Sequence, residues 1–276
     1  QKLFLGRGDE FELNLTRKRS EELTGDRAEK VLAALEKLKS LQADLNRKSD
    51  NIRPQLSAAQ LKQVAAEIEE LEALAENTPL QALSIEIHRD LKIQTQRKSE
   101  VASIADRFLG KKITDLNFTK LSGKPLPNDS LAGKILVLHF WKYHDDPLQE
   151  PYGQFGYVDF LHHKRNKLGV TVLGVAVDEK FASPATSRSV ERAVKKLVSF
   201  MNLGYDVLRD DGSLISKFGD PRKAGAELPL TVVLSPEGEI VHYKAGLYEV
   251  NPREGLKELD AVVVEEIRKQ REGKKE

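Results

Sequence analysis

The stretch 140-FWKYHDDPLQEP-151 follows directly on the apolar run 135-ILVLHF-140. An uninterrupted aliphatic run is what a strand covered on both faces requires. The residues after Trp141 then read as a helix start, with Asp146 as N-cap, Pro147 at the first helical position and Gln149 at the third. A strand that feeds straight into a capped helix is the building unit of α/β sheets.

Working outward, the same grammar repeats. The runs 170-VTVLGVAV-177, 230-LTVVLS-235 and 240-IVHYKAG-246 alternate with helical patterns at 187–202 and 252–270. Pro236-Glu237-Gly238-Glu239 is turn chemistry between two strand-like runs and predicts a hairpin. Residues 105–276 are therefore read as an α/β domain with a mixed sheet flanked by helices.

The first 104 residues read differently. A short alternating run at Phe11, Leu13 and Leu15 behind the turn signal Gly6-Arg7-Gly8 supports at most a short strand. From about Asp26, Val31, Leu32, Leu35, Leu38 and Leu41 recur at helical spacing, and Asp50, Asn51 and Pro54 oppose continuation. A second helix follows Ser57 with Leu61, Val64, Ile68, Leu71 and Leu74 on one face, ended by Asn77-Thr78-Pro79. A third carries Leu80, Leu83, Ile87 and Leu91 and extends toward Val101, Ile104 and Phe108. Residues 1–104 are thus expected to form a helical hairpin or small bundle.

Bulk properties narrow the function classes. The 276 residues are 39% hydrophobic and 32% charged, with no apolar run near the roughly 20 residues of a membrane-spanning helix. Lys+Arg 44 against Asp+Glu 43 leaves a charge of +1, so no global field recruits nucleic acid. The chain has no cysteine, which removes disulfides, thiolate nucleophiles and Cys-ligated metal together. Starting at Gln1, it reads as processed or truncated at the N-terminus.

Several segments in order resemble the thioredoxin-like redoxins of the TlpA/ResA type, relatives of the AhpC/TSA peroxiredoxins, over about residues 105–272. They are 115-DLNFTKLSGKPLPNDSLAGKILVLHFW-141, 168-LGVTVLGVAVDE-179, 206-DVLRDDGSLISKFG-219 and 227-ELPLTVVLSPEGEIVHYKAG-246. The resemblance implies a thioredoxin-like fold, with Pro229 at the family's cis-proline position before a strand. It also places Asp145-Asp146-Pro147-Leu148 where the family has Cys-x-Pro-Cys, behind Trp141. Asp145 and Leu148 then stand at the two reactive positions, and neither can attack or resolve a mixed disulfide.

Trp141, Tyr143, His144, Asp145, Asp146, Leu228 and Pro229 are accordingly the candidate binding residues, and none is assigned as catalytic. Asp145 either lies solvated beside the cap or faces the groove in which the family binds its substrates. A metal site at His144, Asp145 and Asp146 would need a distant ligand such as Glu150, and no metal-ligand spacing is present. No metal or cofactor is assigned. His162-His163, in 161-LHHKRNK-167, reads as the solvated last turn of a helix.

Two functions follow. The first is a binding or scaffold module without thiol-disulfide activity, docking an unidentified protein or peptide and using the N-terminal helices as a second surface or a homo-oligomer contact. The alternative is an enzyme with acid/base or metal-assisted chemistry at His144, Asp145 and Glu150. Export to the periplasm or cell envelope is what the family resemblance implies.

Overall fold

The computed structural model describes residues 2–6, 9–12, 24–44, 58–143, 154–251 and 253–273. They fall into two compact units that divide between Ser99 and Glu100.

In the first unit, β1 (Lys2–Gly6) and β2 (Asp9–Glu12) pair antiparallel on either side of the Gly6-Arg7-Gly8 turn signal. Phe11 falls in β2, while Leu13 and Leu15 lie outside the described residues. The helices α1 (Asp26–Asp44), α2 (Ala58–Ala75) and α3 (Gln81–Phe108) follow. The expected boundary at 104/105 thus falls inside a helix.

Leu61, Val64, Ile68 and Leu71 of α2 form the buried stripe anticipated from their spacing, packed with Ile87 and Leu91 of α3. On α1 the inward face differs from expectation. Ala34 and Leu41 are buried, whereas Leu32 is 62% exposed and Leu35 39% exposed. A leucine-rich helix offers two overlapping stripes, and the small Ala34, silent in a search for large apolar residues, marks the one that packs. Similarly, polar Ser84 and Gln94 continue the buried row of Ile87 and Leu91 on α3. The Ser84 hydroxyl donates to the Gln81 carbonyl at 2.9 Å and the Gln94 amide to Asp90 at 3.1 Å, which satisfies both groups locally.

The second unit begins within α3, whose Ile104 enters its core. A two-stranded hairpin, β3 (Phe118–Thr119) and β4 (Pro125–Leu126), precedes the main elements. These are β5 (Ile135–Trp141), α4 (Phe155–Arg165), β6 (Val170–Val177), α5 (Pro184–Met201) and β7 (Asp206–Asp210). The chain continues through α6 (Ser213–Ser216), β8 (Leu230–Leu234), β9 (Ile240–Ala245) and α7 (Lys257–Glu272).

The 5-stranded sheet has the order β7-β6-β5-β8-β9. β5, β6 and β7 run parallel, and β8 and β9 are antiparallel, giving the mixed sheet anticipated from the strand grammar. The period of two explains why β5 is apolar on both faces but for His139. Ile135, Val137 and Trp141 face a core shared with α4, α5 and α7, while Leu136, Leu138 and Phe140 face one shared with α6 and the end of α3. At Gly219 (φ 77°) a Cβ would stand 2.5 Å from the Phe108 ring, so glycine serves both the left-handed backbone and the close approach of α3.

Candidate functional site

The parallel strands deliver their C-terminal ends to one edge of the sheet, where α/β domains commonly bind ligands. Phe140 is the Cα partner of Leu230. The residues just past β5, Lys142 and Tyr143, therefore share this edge with Leu228 and Pro229 at the start of β8. The Leu228–Pro229 peptide bond is cis, and the Pro229 carbonyl accepts the Gly246 N–H at 2.7 Å. Pro229 is buried and Leu228 half-buried.

Trp141 belongs to the core: it is 2% exposed and packs edge-on against Phe155, with ring centroids 4.8 Å apart. Tyr143 is half-buried against the same core. Of the sequence candidates, then, Tyr143 and Leu228 offer accessible surface at this edge, while Trp141 and Pro229 support it from below. His144, Asp145, Asp146 and Leu148 lie outside the described residues, as do Glu150 and the cap read at Asp146, Pro147 and Gln149.

Sequence patterns gave no hint of the charged rim beside Tyr143, which topology assembles from separate strand ends. Lys142, at the end of β5, lies 3.7 Å from Glu179 beyond β6. Arg222 reaches Glu179 at 2.9 Å and grips Asp220 through Nε at 3.0 Å and Nη2 at 2.7 Å. The Asp220 hydrogen bonds hold the Arg222 guanidinium above its ordinary value against the effect of burial. The Glu179 carboxyl is held below its ordinary value by its own backbone N–H, with Lys142 and Arg222 adding to that pull against burial. The rim is a fixed, internally compensated set of charges. No motif spacing could have revealed it, because each member arrives from a different loop.

His162 and His163 differ from expectation in part. His163 is exposed and lies 3.3 Å from Asp159. His162 is half-buried, its ring edge-on to Tyr205 with centroids 6.2 Å apart. Burial and then the neighbouring His163 push its imidazole down, and Asp159 and Asp206 oppose them. The last turn of α4 faces the approach to β7 rather than solvent alone. The Gly204 N–H donates to Asp159 at 2.7 Å, and a Cβ on Gly204 would fall 2.8 Å from the His163 ring. Among the described residues no group of His, Asp and Glu is placed to hold a metal ion.

Residues 109–243 match the model of the AhpC/TSA family. No curated protein matches the chain. Similar solved structures include a secreted Mycobacterium tuberculosis disulfide oxidoreductase homologous to E. coli DsbE, at 22% identity over 54% of this chain and 95% of that one, with a TM-score of 0.38. A thiol:disulfide interchange protein of the thioredoxin family from Chlorobium tepidum TLS is 19% identical over 57% of this chain and 97% of its own, with a TM-score of 0.42. A thiol:disulfide interchange protein from Bacteroides sp. is 16% identical over 58% and 90%, with a TM-score of 0.41. With its mixed sheet and strand order, the second unit has a thioredoxin-like fold, and its residues 109–243 are similar to the AhpC/TSA family, in a chain that carries no cysteine.

Proposed function

We propose that this domain is a binding module without thiol-disulfide activity, docking an extended protein or peptide segment at the edge formed by Tyr143 and Leu228. The observation that carries this reading is the thioredoxin-like frame in a chain with no cysteine. Thiol-disulfide exchange begins with attack by a thiolate, and nothing in this chain can supply one. The charges of Lys142, Glu179 and Arg222 support a polar-rimmed edge.

The N-terminal helices serve as a second surface. Leu32 and Leu35 on α1 and Ile85 and Ile93 on α3 are exposed apolar residues that favour contact with a second copy of the chain. The family resemblance points to work in the periplasm or cell envelope. Among the described residues no helix is long and apolar enough to cross a membrane.

The test of the non-catalytic reading is insulin reduction with dithiothreitol as electron donor. The expected rate equals that of buffer, and a rate above it overturns the reading. The second surface is tested by light scattering: the full chain is expected above its 31.0 kDa monomer mass. Leu32→Glu with Leu35→Glu then returns it to monomer, and a monomeric unmodified chain rejects the contact.

A further inference from the structure

A cavity of about 390 Å³ lies between the end of α4 and the outer side of α7, near the small end of the range for ligand sites. Leu168, on its wall, precedes β6, whose first residue Val170 is the Cα partner of Ile135 at the start of β5. The cavity therefore lies at the N-terminal ends of the parallel strands, away from Tyr143 and Leu228. Its floor is apolar: Leu168 is half-buried, Ile267 is buried, and Val264 is 42% exposed.

Three guanidinium groups surround that floor. Val264, Ile267, Arg268 and Arg271 recur at three- and four-residue steps and so share one side of α7, and Arg165 joins them from the last residue of α4. Arg268 is compensated: Nη2 reaches Glu265 at 2.6 Å and Nη1 reaches Glu272 at 2.8 Å. Arg165 is compensated only in part, because Asp260, which accepts its Nε and Nη2, also accepts Lys164 at 2.8 Å. One carboxylate thus answers two cations. Arg271 has no carboxylate partner among the described residues. Three arginines against Glu272, the one acid on the lining among the described residues, leave the cavity wall with a net charge of +2.

Charge and shape together select a ligand. A guanidinium pairs with a planar carboxylate through two parallel N–H bonds, and covering Val264 removes apolar surface from water. From Val264 to Arg271 the helix rises by about 10 Å, the length of a chain of about eight carbons. A peptide backbone fits poorly, because its N–H groups would meet apolar side chains and arginine donors, and an unpartnered N–H is costly to bury. A bare hydrocarbon chain carries no such groups.

We propose that this cavity binds a free medium-chain carboxylate, with its chain on Leu168, Val264 and Ile267 and its headgroup held by Arg271. The surplus charge of Arg165 and Lys164 over Asp260 adds to the attraction. This occupant differs in kind from the extended segment docked at the Tyr143 edge, and the two sites are independent.

The test is a nitrogen-15 amide titration of the full chain with sodium octanoate, kept below the concentration at which it forms micelles. Saturable shifts are expected at Leu168, Val264 and Ile267, with Tyr143 and Leu228 unmoved. Sodium acetate, which has the headgroup without the chain, is expected to give none. The alcohol 1-octanol, which has the chain without the charge, is expected to bind at least about tenfold more weakly. Arg271→Gln, at an exposed position that leaves the core untouched, is expected to weaken octanoate about fivefold, the weight of one solvent-screened ion pair. Octanoate without saturable shifts, acetate or octanol binding as tightly as octanoate, or an Arg271→Gln variant of unchanged affinity overturns the proposal and leaves these cations as complements of the C-terminal end of α7.

Discussion

Gln154 grips the backbone of Tyr248 with both ends of its amide: Nε2 donates to the Tyr248 carbonyl at 2.7 Å, and Oε1 accepts the Tyr248 N–H at 2.9 Å. Both residues are buried, and Gln154 holds a left-handed backbone (φ 66°) to make the contact. The grip ties the start of α4 to the segment between β9 and α7. It also fixes Tyr248 where its phenol meets His242.

Gln154→Ala leaves a buried N–H and a buried carbonyl without partners, at roughly 1–3 kcal/mol each. A loss of about 3 kcal/mol is expected in urea denaturation with an unchanged slope. The chain's only tryptophan, Trp141, reports this unit's unfolding by fluorescence. A loss below about 1 kcal/mol would mean that these groups find other partners.

Asp260 on α7 receives Arg165 Nε at 2.7 Å and Nη2 at 2.9 Å, with Lys164 at 2.8 Å, joining α7 to the end of α4. Burial pushes the Asp260 carboxyl up, but the Arg165 and Lys164 hydrogen bonds outweigh it and hold the group below its ordinary value. A depressed carboxyl contributes stability that is present above the ordinary carboxylate range, about pH 4, and is lost as pH falls through the depressed value. Asp260→Asn should therefore cost about 1 kcal/mol at neutral pH, a solvent-screened figure for a partly exposed pair. The variant's deficit should shrink on acidification, as paired pH-dependent denaturation curves would reveal. A deficit constant with pH would assign the cost to packing.

Two glycines behave oppositely. A Cβ on Gly174, in the middle of β6, would fall 2.7 Å from Tyr205 Cε2 and 3.2 Å from Trp141 Nε1. Gly174→Ala is expected to cost about 1–3 kcal/mol through overpacking. Gly156, in the first turn of α4, has only the mobile end of Met201 nearby, at 3.9 Å. Gly156→Ala is expected to stabilise by roughly 0.5–1 kcal/mol, the usual gain of alanine over glycine in a helix. Thermal melts of both variants check the pair, and a destabilised Gly156→Ala would show that the α4 start is held differently.

The strands were legible because each face of the sheet is covered, which makes β5 and β6 apolar at nearly every step, and α2 was legible because Leu61, Val64, Ile68 and Leu71 on its inward face are large. What escaped the sequence was placed by tertiary contact. Ala34 replaced Leu32 and Leu35 as the packing face of α1, since small residues carry little hydrophobic signal. The rim of Lys142, Glu179 and Arg222 is scattered over 80 positions of sequence and has no spacing to find. Trp141 was read as a groove residue from its position in the motif, and the structure seats it in the core.

The central claim, that the retained edge docks an extended chain without redox chemistry, is tested most directly by a backbone amide titration. The labelled full-length protein would be mixed with insulin B chain whose cysteines have been carboxymethylated, so that only docking can occur. The account predicts saturable shifts at Lys142, Tyr143, Leu228 and Leu230, with Val264 on the outer side of α7 unmoved. No saturable shift at Tyr143 and Leu228, or shifts confined to α7, would contradict it.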